Sequence, residues 1–246
     1  MKDRNAPLFD LFWENGKLNE YTGQRLGSQV EKDARTITDP PWLDYPEINV
    51  SLSMPTDRHA KLLLGRKSER VFSDKPLSIK QLSSLFVGFR AESATHRALA
   101  SGGGKYPVEV FALAFNVEGI PEPTALYYHP MHHGFSRIAP CPEWQSCRAT
   151  LGVGLESMPA LYVVFCIFPG RSTRKYGERG GRFALFETGM YAQTLALRLA
   201  IEKLAGVPYA AFHDDELKTW LGLHDQGHVA LAYACGNRQK TGWRNG

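Results

Sequence analysis

Residues 171–199 read RSTRKYGERGGRFALFETGMYAQTLALRL, a cationic segment running without a break into an apolar helix. Arg171, Arg174, Lys175, Arg179 and Arg182 crowd its first half, with only Glu178 to offset them. Tyr176 stands next to Lys175, so an amine and a phenol, both able to exchange protons, share one short loop. An amine set beside a phenol makes Lys175 a candidate base. The helix is expected from about Arg182 to Ala205, with Glu187 and Gln193 punctuating an otherwise apolar surface. A helix that apolar belongs at the centre of a core, and a ligand bed near its start would be rigid.

The remainder of the chain sets the bounds. Its 246 residues suffice for one large domain or two small ones. Hydrophobic content of 43% and charged content of 22% describe an ordinary globular protein. A formal charge of +4 with no basic run interleaved with aromatics argues against a nucleic-acid partner and for a small anionic ligand. Cys141, Cys147, Cys166 and Cys235 form no C-x-x-C pair, and Cys166 and Cys235 fall in apolar runs as reduced core residues. His129, His132 and His133 cluster in a turn without a supporting carboxylate or thiol, so no metal site is expected. Met1 to Asp10 lacks a signal-peptide pattern and no apolar run is long enough to span a membrane. A cytoplasmic protein is expected.

Residues 1–60 are polar and proline-rich, and are expected to form an arm lying on the body or on a partner subunit. Within it PLFDLFWENGKL predicts a short amphipathic helix with Leu8, Leu11, Phe12 and Leu18 as its contacts. Pro40, Pro41 and Pro46 impose extended backbone, and Trp42, Leu43, Tyr45 and Ile48 offer anchors. Residues 61–246 form the globular domain. Two helical pieces follow Leu62, the first ending near Phe72 and the second capped by Ser78. Arg66, Ser68 and Arg70 lie in the first, where two guanidiniums and a hydroxyl suit a phosphate or the carbonyls of a flat heterocycle.

Ser101-Gly102-Gly103-Gly104 is a turn that lets backbone approach a ligand, and it feeds a strand, Val108 to Val117, buried on both faces. The glycines precede a strand and open no helix, so this is no dinucleotide fingerprint. ALYYHP is a short strand, PEWQSCRATL a helix, MPALYVVFCIFPG a second buried strand, DDELKTWLGL a helix, and GHVALAYACG a last strand with Arg238 just beyond it. The order is α, β, β, α, α, β, an α+β arrangement without internal repeat.

Three segments in consistent order resemble one family. SGGGKYPVEVF resembles the S-G-G-x-x-Y-P-x-E-V turn and strand of the microcin-type and streptolysin-type azoline oxidases. RKYGERGGRFALFETGMYAQ resembles their K-Y-x-x-R-G-x-R-x-x-L-x-E-x-G-x-x-x-Q stretch, and Arg66-x-Ser68-x-Arg70 is similar to the flavin-binding start of the wider nitroreductase superfamily. The resemblance implies a nitroreductase-like α+β fold with a central, mainly antiparallel sheet flanked by helices, working as a homodimer with FMN at the interface. It implies oxidation of peptide thiazolines or oxazolines to thiazoles or oxazoles, hydride passing to flavin and dioxygen reoxidising it, beside cyclodehydratase subunits. Carried over by position, Arg66, Ser68, Arg70, Ser101, Gly102, Gly103 and Gln193 hold FMN, Arg238 holds its phosphate, and Lys175 and Tyr176 are the catalytic pair. The chain departs from the pattern at Ala100, where proline is common, and at Gly181, where an aromatic is frequent. It lacks the longer N-terminal extension of some relatives, so leader recognition is expected on another subunit. An NAD(P)H-dependent nitroreductase or quinone reductase, and an FMN-bearing scaffold subunit, are the alternatives.

Overall fold

The computed structural model describes residues 5–33, 51–152, 154–155, 157–223 and 227–239. Six strands form one sheet: β1 (Val108–Ala114), β2 (Thr124–His129), β3 (Gly134–Pro140), β4 (Leu161–Ile167), β5 (Ala205–Tyr209) and β6 (His228–Gly236). Their order is β3-β2-β1-β4-β6-β5, and every pairing is antiparallel. β1 and β4 are buried along their whole lengths, as their continuous apolar runs require.

Alternation along the strands builds two cores. Val163 and Phe165 of β4 point to one face with Val110 and Ala112 of β1, while Tyr162, Val164 and Cys166 point to the other with Phe111 and Leu113. The first face is covered by α4 (Ile79–Phe86) and by the long α7 (Glu178–Ile201). The second is covered by α5 (Trp144–Leu151) and α8 (Asp214–Trp220). The remaining helices are α1 (Pro7–Gly16), α2 (Glu20–Asp33), α3 (Arg58–Gly65) and α6 (Gly170–Tyr176). All four cysteines are buried and free. Among the described residues no helix is long and apolar enough to cross a membrane.

Several expectations need correction. The cationic segment is helical: Arg171, Arg174 and Lys175 lie on α6 and Arg179 and Arg182 on α7, with Gly177 between them at φ +55°, a conformation that stops one helix and re-aims the chain into the next. α7 begins at Glu178 and ends at Ile201, because Lys203 turns with φ +56° and Ala205 already starts β5. Only half of α7 faces the core: Ala184, Glu187, Tyr191, Leu195 and Leu199 are buried, whereas Phe186 is 66% and Met190 40% exposed. α3 stops at Gly65, so Arg66 to Arg70 lies outside any helix, with Arg66 itself extended. No helix face therefore gathers the three residues; Arg66 Nη1 donates to Ser68 Oγ at 3.3 Å.

α1 forms where its pattern places it but buries the opposite side. Ala6 and Phe9 are buried and Trp13 packs on the core, while Leu8, Leu11 and Phe12 are exposed. Glu178 decides this: its Oε1 and Oε2 accept from the amides of Leu8 and Phe9, each at 2.9 Å, and fix the helix start against α7. α2, β3 and β5 were not anticipated. The anchors Trp42, Leu43, Tyr45 and Ile48 lie outside the described residues.

Candidate active site

The glycine loop and the amine–phenol pair meet. Gly102–Gly104 forms one 3-10 turn, with Gly103 at φ +63° and Gly104 at +64°. A Cβ on Gly103 would overlap the Tyr176 hydroxyl and lie 3.0 Å from Lys175 Nζ, so only the bare backbone fits beside the pair. The Lys175 ammonium also stands 5.1 Å from the centre of the Tyr176 ring. Phe183, one turn into α7, meets Tyr176 edge-to-face at 5.0 Å and lies under Gly102.

Glu187 holds this loop from below. Its Oε1 accepts from Ser101 Oγ and from the Gly102 amide, both at 2.9 Å, and Ser101 Oγ in turn accepts from the Tyr106 amide at 2.7 Å. Oε2 is buried and has no partner among the described residues. Burial raises the Glu187 carboxyl above its ordinary value, partly offset by the bonds from Gly102 and Ser101. A lone acid on an apolar helix was the signal in the sequence; the loop it pins, 86 residues earlier, was not.

Beyond the loop opens a depression of about 570 Å³ lined by Gly104, Lys105, Arg171, Arg174 and Lys175. Arg171 is spoken for, donating to Glu109 Oε1 at 2.5 Å and to the Tyr106 carbonyl at 2.8 Å. Arg174 Nε donates to the Gly170 carbonyl at 2.9 Å.

Arg66 and Arg238 form a second group at the far end of α7. Together with Leu199, Ala200, Gly206 and Tyr233 they line a narrow cleft, and Arg238 Nη2 pairs with Glu69 Oε1 at 2.9 Å. Glu187 and Leu199 are 12 positions apart, about 18 Å along a helix. The structure thus joins Ser101, Gly102, Gly103, Lys175 and Tyr176 in one place and Arg66, Ser68 and Arg238 in another. Gln193 is exposed on α7 between them, and Arg70 is exposed near Tyr209. His133 is held between Tyr128 OH at 2.7 Å and Ser83 Oγ at 3.0 Å, and His129 by Ser136 at 2.7 Å. Among the described residues no cluster suits a metal ion.

The model of the nitroreductase family matches residues 63–237, which span both groups. The chain belongs to that family. Membership makes it an oxidoreductase. It is 27% identical over 184 residues to a nitroreductase-family protein of Methanocaldococcus jannaschii, covering 72% of this chain and 91% of that one. It is 31% identical over 168 residues to the microcin B17-processing protein McbC of Escherichia coli. That match covers 65% of this chain and 61% of McbC. Among solved structures, the E. coli microcin synthetase McbBCD complex with truncated pro-MccB17 bound superposes with a TM-score of 0.67 at 22% identity, covering 86% of this chain and 82% of that one. A nitroreductase-family structure from Ralstonia eutropha gives 0.63 at 21% identity, covering 80% and 89%. These likenesses establish the nitroreductase-like α+β fold.

Proposed function

We propose that this chain is an FMN-dependent azoline oxidase, converting thiazolines or oxazolines in a peptide to thiazoles or oxazoles. The observation that carries the reading is the convergence of Lys175 Nζ and the Tyr176 hydroxyl on the bare face of Gly103. The sequence likeness to McbC, which processes microcin B17, supports it.

The residues present suit a flavin mononucleotide. The turn Gly102–Gly104 presents bare backbone to a flat ring on the side away from Tyr176 and Lys175, which already fill the place of a Gly103 Cβ, and Arg66 with Arg238, the latter shared with Glu69, offers guanidiniums suited to a phosphate. Flavin supplies the hydride acceptor that side chains lack. The chain's part is the proton: one of Lys175 and Tyr176 takes it from the ring carbon next to the one that gives up hydride, while the other orients or relays it. Glu187 keeps the loop under the pair, and the neighbouring guanidiniums favour negative charge developing there. Dioxygen is the final electron acceptor in this reading.

The exposed apolar strip of Phe186 and Met190 on α7, with Leu63 and Leu64 of α3, supports the working state as a homodimer closed over this face. Cyclodehydratase subunits that make the azoline are the expected further partners. The test is direct: purified protein carrying FMN, given a thiazoline peptide under air, should yield a product lighter by two hydrogens. Lys175→Ala should keep FMN and lose turnover; full activity in that variant removes the proposed base. The relative from M. jannaschii keeps a second reading, an NAD(P)H-dependent nitroreductase. NADPH consumption with a nitroaromatic, undiminished in Lys175→Ala, would favour it.

A further inference from the structure

The depression beside Lys175 holds more positive charge than moving one proton requires. Lys105, Arg171, Arg174 and Lys175 all line it, and among the described residues no carboxylate does. Two neighbouring acids do not reach Lys105, Arg174 or Lys175. Glu109 is buried, bound by Arg171 at 2.5 Å and by the Tyr127 hydroxyl at 3.0 Å. Glu178 is turned away, onto the amides of Leu8 and Phe9. Arg171 is thereby neutralised, which leaves Lys105, Arg174 and Lys175 without a counter-ion among the described residues.

Arg174 is shaped for an anion. Its Nε is anchored on the Gly170 carbonyl, which leaves the two terminal nitrogens of the guanidinium as a fork. A fork of that kind matches a carboxylate in bidentate fashion. Lys105, directly after the glycine loop, adds a second ammonium to the lining. The volume, about 570 Å³, suits a few peptide residues and not an extended polyanion. In the FMN reading the cofactor phosphate falls to Arg66 and Arg238 at the other end of α7, Arg238 being shared with Glu69.

We propose that Lys105 and Arg174 form a carboxylate subsite of the substrate cleft. They hold an acid group of the peptide close to the ring being oxidised, so the substrate class is peptides with an acidic side chain or a free C-terminus beside the azoline. The inference rests on the azoline-oxidase reading and specifies which azolines are taken.

The test uses the FMN-loaded protein and five labelled thiazoline peptides: Asp, Asn or Lys after the ring in an amidated peptide, and the ring at the C-terminus as free acid or amide. Binding is read by fluorescence anisotropy, and oxidation by mass. Exposed charge pairs contribute modestly, so one of the acidic peptides should bind about 3- to 10-fold more tightly than its neutral twin at low salt. Which pair shows the preference tells a side chain from a terminus. The preference should fade in ~0.5 M salt. It should vanish in Lys105→Gln/Arg174→Gln, and turn towards a Lys-bearing peptide in Lys105→Glu/Arg174→Glu. Equal binding of acidic and neutral peptides by the unmodified protein, with oxidation of both, overturns the subsite and leaves the azoline-oxidase reading standing. Loss of FMN from the Gln variant overturns it in favour of a phosphate site. Oxidation of none of the peptides removes the reading and the subsite together.

Discussion

Glu187 and Gly102 are joined by a 2.9 Å bond from backbone amide to carboxylate, and the same Oε1 takes the Ser101 hydroxyl. One oxygen therefore fixes the loop that faces Lys175 and Tyr176, and its twin, Oε2, is buried without a partner among the described residues. Burial raises the Glu187 carboxyl above its ordinary 4.5. A raised value means that the folded protein keeps a proton the unfolded chain releases. The stabilising contribution is full below about pH 4.5 and is lost as pH rises through the folded value. Glu187→Gln keeps an acceptor for the loop and cannot ionise. Its melting temperature should gain on that of the unmodified protein between pH 4 and pH 7, and a constant difference across that range would contradict a raised carboxyl.

Gly103 and Gly104 separate strain from crowding. Both have positive φ, so alanine at either costs about 1 kcal/mol of backbone strain. Only at Gly103 does the new methyl strike the Tyr176 hydroxyl and Lys175 Nζ; at Gly104 it meets open space. Similar losses of stability are expected, with activity falling at least ~10-fold for Gly103→Ala and by much less for Gly104→Ala. Equal activities would mean that the contact at Gly103 has no bearing on the chemistry.

The elements legible in the sequence were those whose pattern is complete within a few residues. β1 and β4 announced themselves as apolar runs, and α4 by Ser78, whose hydroxyl and Gln81 form a capping box. β3 escaped because GFSRIAP is an edge strand with mostly exposed residues, and β5 because AGVPY carries a glycine and a proline. At the site, Lys175, Tyr176 and the glycine loop could be named, since each carries its own chemistry. The bond from Glu187 to that loop could not, because it depends on how α7 is rotated against the sheet. Nor could the choice of α1's buried face, which a single carboxylate, Glu178, decides from 170 residues away.

Gly181 illustrates the same dependence. The family resemblance leads one to expect an aromatic there, and here a Cβ would overlap the ring of Phe9 from α1. The space is filled from another element. Phe9→Ala should lower stability by about 3 kcal/mol, and Gly181→Ala should push α1 off α7. The double variant should be more stable than the sum of the two losses predicts, because the methyl enters room the ring has vacated. Denaturant unfolding of the four proteins measures the coupling, and strict additivity would show that the two sites do not share that space.

α1 also covers His228, the first residue of β6, whose ring lies 5.0 Å from that of Trp13 at 31°. Its Nδ1 is buried with no partner among the described residues. Burial, with Lys218 and Lys17 nearby, pushes the imidazole down to about 4, against the pull of Glu14 and Asp215. The unfolded chain therefore binds a proton near pH 6.5 that the folded chain refuses until about pH 4. Stability attached to the neutral ring is present above 6.5 and is lost as pH falls through that window. The difference corresponds to about 2–3 kcal/mol once partial solvent screening is allowed for. His228→Phe keeps a flat ring against Trp13 and cannot be protonated. Urea unfolding at pH 7.5 and at pH 5 should show the unmodified protein losing ~1–2 kcal/mol more than the variant. Hydrogen exchange along Pro7–Gly16 should rise on acidification in the unmodified protein alone. Parallel losses in the two proteins would place the acid sensitivity elsewhere, and unchanged exchange along that helix would mean that His228 does not govern its docking.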